Sequence, residues 1–257
     1  MVAWGGRLPS RRRLVTGFSL ATFVALGGNL GGVTSALLSL DGGRLAGATG
    51  LDIVVPVAGK KRCRDDANGY EFLYPSRWLA DQTIARRNAL RMEQRLDPPS
   101  IREGRDARRR RDLFEPTAAF GPMGGTGEEN VSVIVAPIMP GFAIAQLGSP
   151  RETAGKFLVT TVAPEGSGRT AELVDAGRFG DERGEEYVWF EYVVESQQYG
   201  WRRRNISCVA SRADLLFSLN VQCPEGRWAA EGGLLRECAL SLRLLPGTSG
   251  AAFPGAL

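Results

Sequence analysis

Histidine is missing from this chain altogether. With it go the usual general base, the usual transition-metal ligand and any Ser–His or Cys–His dyad. Ser207 and Ser211 therefore have no base to activate them, which argues against a serine hydrolase. Cysteine is scarce, with Cys63, Cys208, Cys223 and Cys238 alone. None has CxxC spacing; they are too few for a disulfide scaffold and wrongly spaced for a zinc site. Lysine occurs 3 times against 29 arginines, a bias read as genome composition rather than function.

A global charge is also lacking in most of the chain. The formal net charge is +4. Residues 1–48 carry Arg7, Arg11, Arg12, Arg13 and Arg44 against Asp41 alone, which is the whole excess. Residues 49–257 are about neutral and have no field to drive nonspecific phosphate binding, so no nucleic-acid partner is expected. Apolar residues make up 43% of the chain, as in an ordinary soluble protein. One domain of roughly 180 residues is expected, large enough for its own core.

The N-terminus reads as an address. Ser10-Arg11-Arg12-Arg13-Leu14-Val15 matches the twin-arginine pattern. No charge occurs from Leu14 to Leu40, and glycines at 17, 27, 28, 31 and 32 dilute the apolar run. Ala46-Gly47-Ala48 then supplies a small-residue cleavage site. Together these predict a twin-arginine export presequence over 1–48, with Arg11, Arg12 and Arg13 as targeting residues. The alternative is an uncleaved anchor, since the uncharged stretch is long enough to span a bilayer.

Residues 49–68 are expected to be a linker, 69–245 a domain, and 246–257 a disordered tail. Within the domain, 97–128 read as a flexible surface insertion containing Pro98-Pro99, the run Arg105 to Asp112 and Gly124-Gly125. Strands are predicted at Tyr70–Tyr74 and Asn130–Ala136. Ser149-Pro150-Arg151-Glu152 is a capping box with Pro at the first helical position. The helix it opens should turn Ala154, Phe157, Leu158, Thr161 and Val162 to one side.

Residues 170–223 read as a four-stranded antiparallel meander. Val188, Phe190, Tyr192 and Val194 of its second strand are predicted inward. So are Ile206, Cys208 and Ala210 of the third, and Leu215, Phe217, Leu219 and Val221 of the fourth. A tight turn at Arg212-Ala213 pairs Ala210 with Leu215, Cys208 with Phe217 and Ile206 with Leu219, and sets Cys223 across from Arg202. Cys208 and Cys223 are then too far apart for a disulfide. A helix from about Trp228 to Cys238, weakened by Gly232-Gly233, and a short strand within Ala239–Leu245 complete the domain. The fold class is α+β, a central antiparallel β-sheet flanked by helices.

Several segments resemble the PsbP family, the extrinsic subunit of the photosystem II oxygen-evolving complex and its relatives. They are Gly69 to Trp78, Asn130 to Val135, Leu147 to Glu152, Tyr187 to Tyr192, Leu215 to Asn220 and Pro224 to Trp228, in the family's order over about residues 69–245. The resemblance implies an α-β-α sandwich without catalysis. It also implies a place in the chloroplast thylakoid lumen, peripheral on a membrane complex such as photosystem II, in its assembly or stability. The insertion and the absence of histidine depart from the founding subunit and favour a domain-containing relative.

Among individual residues, Arg105, Arg108, Arg109, Arg110 and Arg111 are candidates for docking on an acidic surface; a solvated loop is the plainer reading. Asp181, Glu182, Glu185 and Glu186 supply the carboxylates that calcium prefers, without EF-hand spacing; the plainer reading is a charged hairpin turn. No catalytic residue and no cofactor is assigned, calcium excepted as an unassigned possibility. Trp78 and Trp228 are expected to anchor the core, and Cys208 to be a small buried hydrophobe. Other classes stay open: a lumenal small-ligand or regulatory protein, or an enzyme, on the same scaffold. A known fold relative binds a small nuclear GTPase, a role the export signal argues against.

Overall fold

The computed structural model describes residues 32–84, 86–87, 115–125 and 127–246. The chain divides into two compact units, Met1–Lys61 and Arg62–Leu257.

The first unit contains α1 (Val33–Ser39), α2 (Arg44–Thr49) and a 3-10 turn at Leu51–Ile53. The Asp41 carboxylate accepts from the amides of Gly43 and Leu45 at 3.0 and 2.7 Å. It thereby satisfies donors that a short helix leaves open at its start. Ala46, within the expected cleavage site, is buried on α2. Among the described residues no helix is long and apolar enough to cross a membrane.

The second unit is built on a seven-stranded antiparallel sheet. Its strands are β3 (Leu79–Ala80), β4 (Ala118–Gly121), β5 (Asn130–Pro137), β6 (Thr170–Gly180), β7 (Glu186–Ser196), β8 (Trp201–Arg212) and β9 (Leu215–Pro224), in the order β3-β4-β5-β9-β8-β7-β6. A smaller sheet has the order β1-β2-β10, from β1 (Lys60–Asp65), β2 (Tyr70–Pro75) and β10 (Arg243–Leu244). Helix α3 (Pro150–Phe157) lies against β6 and β7, and α4 (Glu225–Ala239) against β2, β8 and β9. This is the expected α+β architecture, with both faces of the large sheet covered.

That double cover corrects the inward set. The loop from Gln197 to Gly200 pairs Val188 with Val209, Phe190 with Ser207 and Tyr192 with Asn205. Side chains alternate along a strand, so Val188, Phe190, Tyr192 and Val194 lie on the face opposite Ile206, Cys208 and Ala210. The first set packs with Ile144, Ala154 and Leu158 under α3. The second packs with Tyr70, Phe72, Trp78, Phe217, Leu219, Leu235 and Leu244 under α4. Two cores stand where the meander alone reads as one.

Further corrections have local causes. The β8–β9 turn is Ala213-Asp214, both with positive φ (49° and 59°), which is the twist a two-residue hairpin requires. The register therefore slips by two from the prediction: Ala210 opposes Phe217, Cys208 opposes Leu219, Ile206 opposes Val221 and Cys223 opposes Arg204. A two-residue slip keeps every side chain on its face, which is why the pattern did not reveal it. Cys63, Cys208, Cys223 and Cys238 are free thiols. The expected linker contributes β1, and the expected insertion contributes β4, which pairs with β5. Helix α3 widens into a π turn at Leu158–Val162, and the extra residue rotates Thr161 out to solvent. Its start is as expected: Ser149 Oγ accepts from the Glu152 amide, and Glu152 accepts from the Ser149 amide, each at 3.3 Å.

The two glycines of α4 differ. A Cβ on Gly232 meets the Trp228 ring at 2.7 Å, so this glycine is what allows Trp228 to fold back over the helix. A Cβ on Gly233 meets nothing within 4 Å. Gly232→Ala should therefore destabilise by about 1–3 kcal/mol, as overpacking does. Gly233→Ala should stabilise by about 0.5–1 kcal/mol through helix propensity. Urea unfolding of the two variants checks this; equal effects of one sign would contradict it.

Candidate functional site

Alternation on β7 directs Glu191 toward α4, where it is fully buried. Arg204 on β8 meets it at 2.7 Å, and Arg236 on α4 meets its other oxygen. Arg204 also holds Glu225, at the first turn of α4, at 2.7 Å, and its guanidinium lies 5.2 Å from the Trp228 ring. Glu225, and then Glu191, hold Arg204 firmly charged, and Arg204 in turn draws the Glu225 pKa down. Every charge here has an opposite partner. The arrangement binds α4 to the sheet and leaves no group available for proton transfer.

Three of the four residues suspected of holding calcium, Asp181, Glu185 and Glu186, are likewise engaged, while Glu182 is exposed. Asp181 accepts from the amides of Arg183 and Glu185 and from the Tyr187 hydroxyl. Burial opposes its charge, but these donors outweigh burial and keep its pKa low. Tyr187 also accepts from the Leu244 amide at 2.9 Å, tying the hairpin to β10. Glu185 pairs with Arg212 at 3.0 Å, and Glu186 faces Arg178 at 3.6 Å. Those three carboxylates serve the hairpin, and among the described residues no group of three metal-ligating side chains occurs.

Three of the thiols are held inert. Burial pushes Cys63, Cys208 and Cys223 up to about 12, with Asp65 adding to the first and Glu129 to the last. A thiol with such a pKa is no nucleophile at neutral pH. Trp78 is buried and Trp228 packs on the core, as expected of anchors.

Two concave regions stand out among the described residues. An open groove of about 480 Å³ runs past Leu79, Ile84, Phe120 and Met123 to Glu129. A smaller cleft of about 220 Å³ lies across the ends of β7, β8 and β9, lined by Arg169, Trp201 and Arg203.

Glu129 is the unusual group of the larger groove, and its residue type gave no signal in the sequence. It is 5% exposed, just before β5, and its Oε1 has no hydrogen-bond donor. Arg227 meets its Oε2 at 2.5 Å and also pairs with Glu231 at 3.1 Å, one turn further along α4. Burial pushes the Glu129 pKa up, the Glu231 carboxyl beside it adds to the rise, and Arg227 opposes both, leaving it at about 7. Two carboxyls at one site favour holding a proton.

The targeting arginines Arg11, Arg12 and Arg13 and the docking candidates Arg105, Arg108, Arg109, Arg110 and Arg111 lie outside the described residues. Arg87 and Glu115, on either side of the latter run, form an ion pair at 2.7 Å.

Glu129 sets a pH dependence. Between its ordinary pKa of 4.5 and its folded value of about 7, the native state holds a proton that the unfolded chain has lost. Native stability is thus greatest below the unfolded pKa and falls as pH rises through this window, by at most about 1.4 kcal/mol per pH unit. Urea unfolding at pH 5, 6, 7 and 8 should show that decline, and Glu129→Gln should flatten it. An unchanged slope in the variant would contradict the assignment.

The PsbP family profile matches residues 58–244. "PsbP domain-containing protein 7, chloroplastic" of Arabidopsis thaliana is 40% identical over 225 residues, covering 85% of this chain and 77% of that protein. "CyanoP" of Thermosynechococcus vestitus is 30% identical over 168 residues, covering 64% of this chain and 74% of the relative. The solution structure of cyanobacterial PsbP (CyanoP) from Synechocystis superposes with a TM-score of 0.50 at 23% identity, covering 74% of this chain and 95% of that one. This last likeness is one of fold.

Proposed function

The chain belongs to the PsbP family, and from that membership we propose that it is a non-enzymatic accessory protein of the chloroplast thylakoid lumen, peripheral on photosystem II and serving its assembly or stability. The observation that carries the reading is the 40% identity, over 225 residues, to a protein whose name places it in the chloroplast. The twin-arginine pattern at Arg11, Arg12 and Arg13 supports delivery across the thylakoid membrane, with residues 1–48 as the presequence.

Chemistry supports the absence of catalysis. There is no histidine, three thiols are held protonated by burial, and the buried charges of Glu191 and Arg204 are spent on each other. A neutral domain then docks through local charge rather than a global field. Arg105, Arg108, Arg109, Arg110 and Arg111 supply such a patch, and guanidinium forks suit the carboxylates of a protein surface.

Two measurements test this. Replacing Arg11, Arg12 and Arg13 by Lys should block import driven by the pH gradient; unimpaired import through another route would remove the targeting assignment. High salt should release the protein from isolated thylakoids without detergent, since rim charges act through salt-sensitive encounter. Reversal of the five arginines to Glu should weaken rebinding while leaving the unfolding curve unchanged. Release by detergent alone would indicate a retained anchor instead.

A further inference from the structure

The cleft at the ends of β7, β8 and β9 lies on the α3 face of the sheet, away from the Glu191 cluster. The loop after the π turn brings Arg169 to one side of the Trp201 ring, 6.0 Å from its centroid, and β8 brings Arg203 within 4.3 Å of it. Asn205 and Gln222 contribute to the lining, but their amide nitrogens are engaged by the carbonyls of Arg203 and Gly127. Arg169 and Arg203 are the charged donors of this lining.

Charge counting makes this specific. Arg202 pairs with Glu195 at 3.4 Å, and Arg203 Nη2 meets Glu128 at 2.9 Å. Arg203 Nε is buried with no acceptor among the described residues. Arg169 forms no ion pair among them. Among the described residues one guanidinium is thus in excess, the complement of one carboxylate. Contact with the tryptophan ring restricts both arginines before anything binds, which lowers the ordering cost of binding. Tyr199, at the tip of the β7–β8 hairpin, is 72% exposed. Tyr, Trp and Arg together are the residues that dominate protein–protein contact energies.

We propose that the cleft formed by Arg169, Trp201 and Arg203 is a docking pocket for an acidic side chain of a protein partner, with Tyr199 flanking it. The volume of about 220 Å³ is several times the ~30 Å³ that one water occupies in the liquid, enough for a carboxylate and its stem. The cleft opens to solvent, which suits a protruding side chain better than an enclosed metabolite. The pocket deepens the accessory reading by giving it a second point of contact. It rests on that reading only for where the partner is found.

The test uses the whole chain, isotopically labelled, with the Trp201 indole signal assigned by its loss in Trp201→Phe. A capped Glu-Gly hexapeptide at millimolar concentration should shift that signal saturably and reversibly with salt. The matched Gln-Gly peptide should not. Arg169→Ala should weaken the response at least tenfold while the other indole signals stay in place, which shows that the variant is folded. The proposal fails if the acidic peptide leaves Trp201 unmoved, or if Arg169→Ala responds like the parent. It also fails if inorganic phosphate or anionic lipid vesicles at equal charge reproduce the shift, because the cleft would then be a general anion site. Thylakoid release bears on the accessory role alone, so either reading can fall without the other.

Discussion

The carboxylate of Glu191 is where the two halves of the sandwich's α4 side are joined. It is fully buried, and burying a charge is unfavourable unless it is paired and hydrogen-bonded. Here it is met by Arg204 from the neighbouring strand and Arg236 from the helix, while Arg204 reaches back to Glu225 at the helix start. Helix α4 is thereby gripped near both ends by charges fixed in the sheet. The apolar contacts of Leu235 and Ala239 can slide; directed ion pairs cannot. Trp228 closes over Arg204, and Gly232 makes room for it. Burying Glu191 costs desolvation that its two arginines offset, so the cluster fixes register more than it adds net stability.

Features with local causes were readable from the sequence. The Ser149 capping box, the Tyr70–Tyr74 strand, the four meander strands and the buried Cys208 all follow from short-range pattern. Features that depend on what lies across the sheet were not. Alternation says that Val188 and Phe190 share a face, but not that the opposite face of β7 is also covered. A glutamate between Phe190 and Tyr192 looks like a solvent-facing residue until α4 supplies Arg236. The β1 and β4 strands were hidden in glycine- and charge-rich surroundings that read as linker and insertion. Glu129 and the Arg169–Trp201–Arg203 cleft draw on residues distant in sequence, so no spacing rule could assemble them.

The resulting division of labour is simple. The interior is chemically quiet, with three thiols held protonated and Glu191 matched by two arginines. Its sensitivity is placed at the edges: a carboxyl pair beside the larger groove takes up a proton near neutrality, and arginines on a tryptophan face offer a contact.

The central claim is that ion pairing at Glu191 holds α4 in place, and it is tested most directly by Glu191→Ala followed by urea unfolding together with amide hydrogen exchange along Glu225–Ala239. The account predicts a loss of about 1–3 kcal/mol, the cost of leaving partly buried donors without their acceptor, with the α4 amides losing protection before those of β8 and β9. A loss below about 0.5 kcal/mol, the range of an ordinary surface substitution, with α4 protected as in the parent, would contradict it.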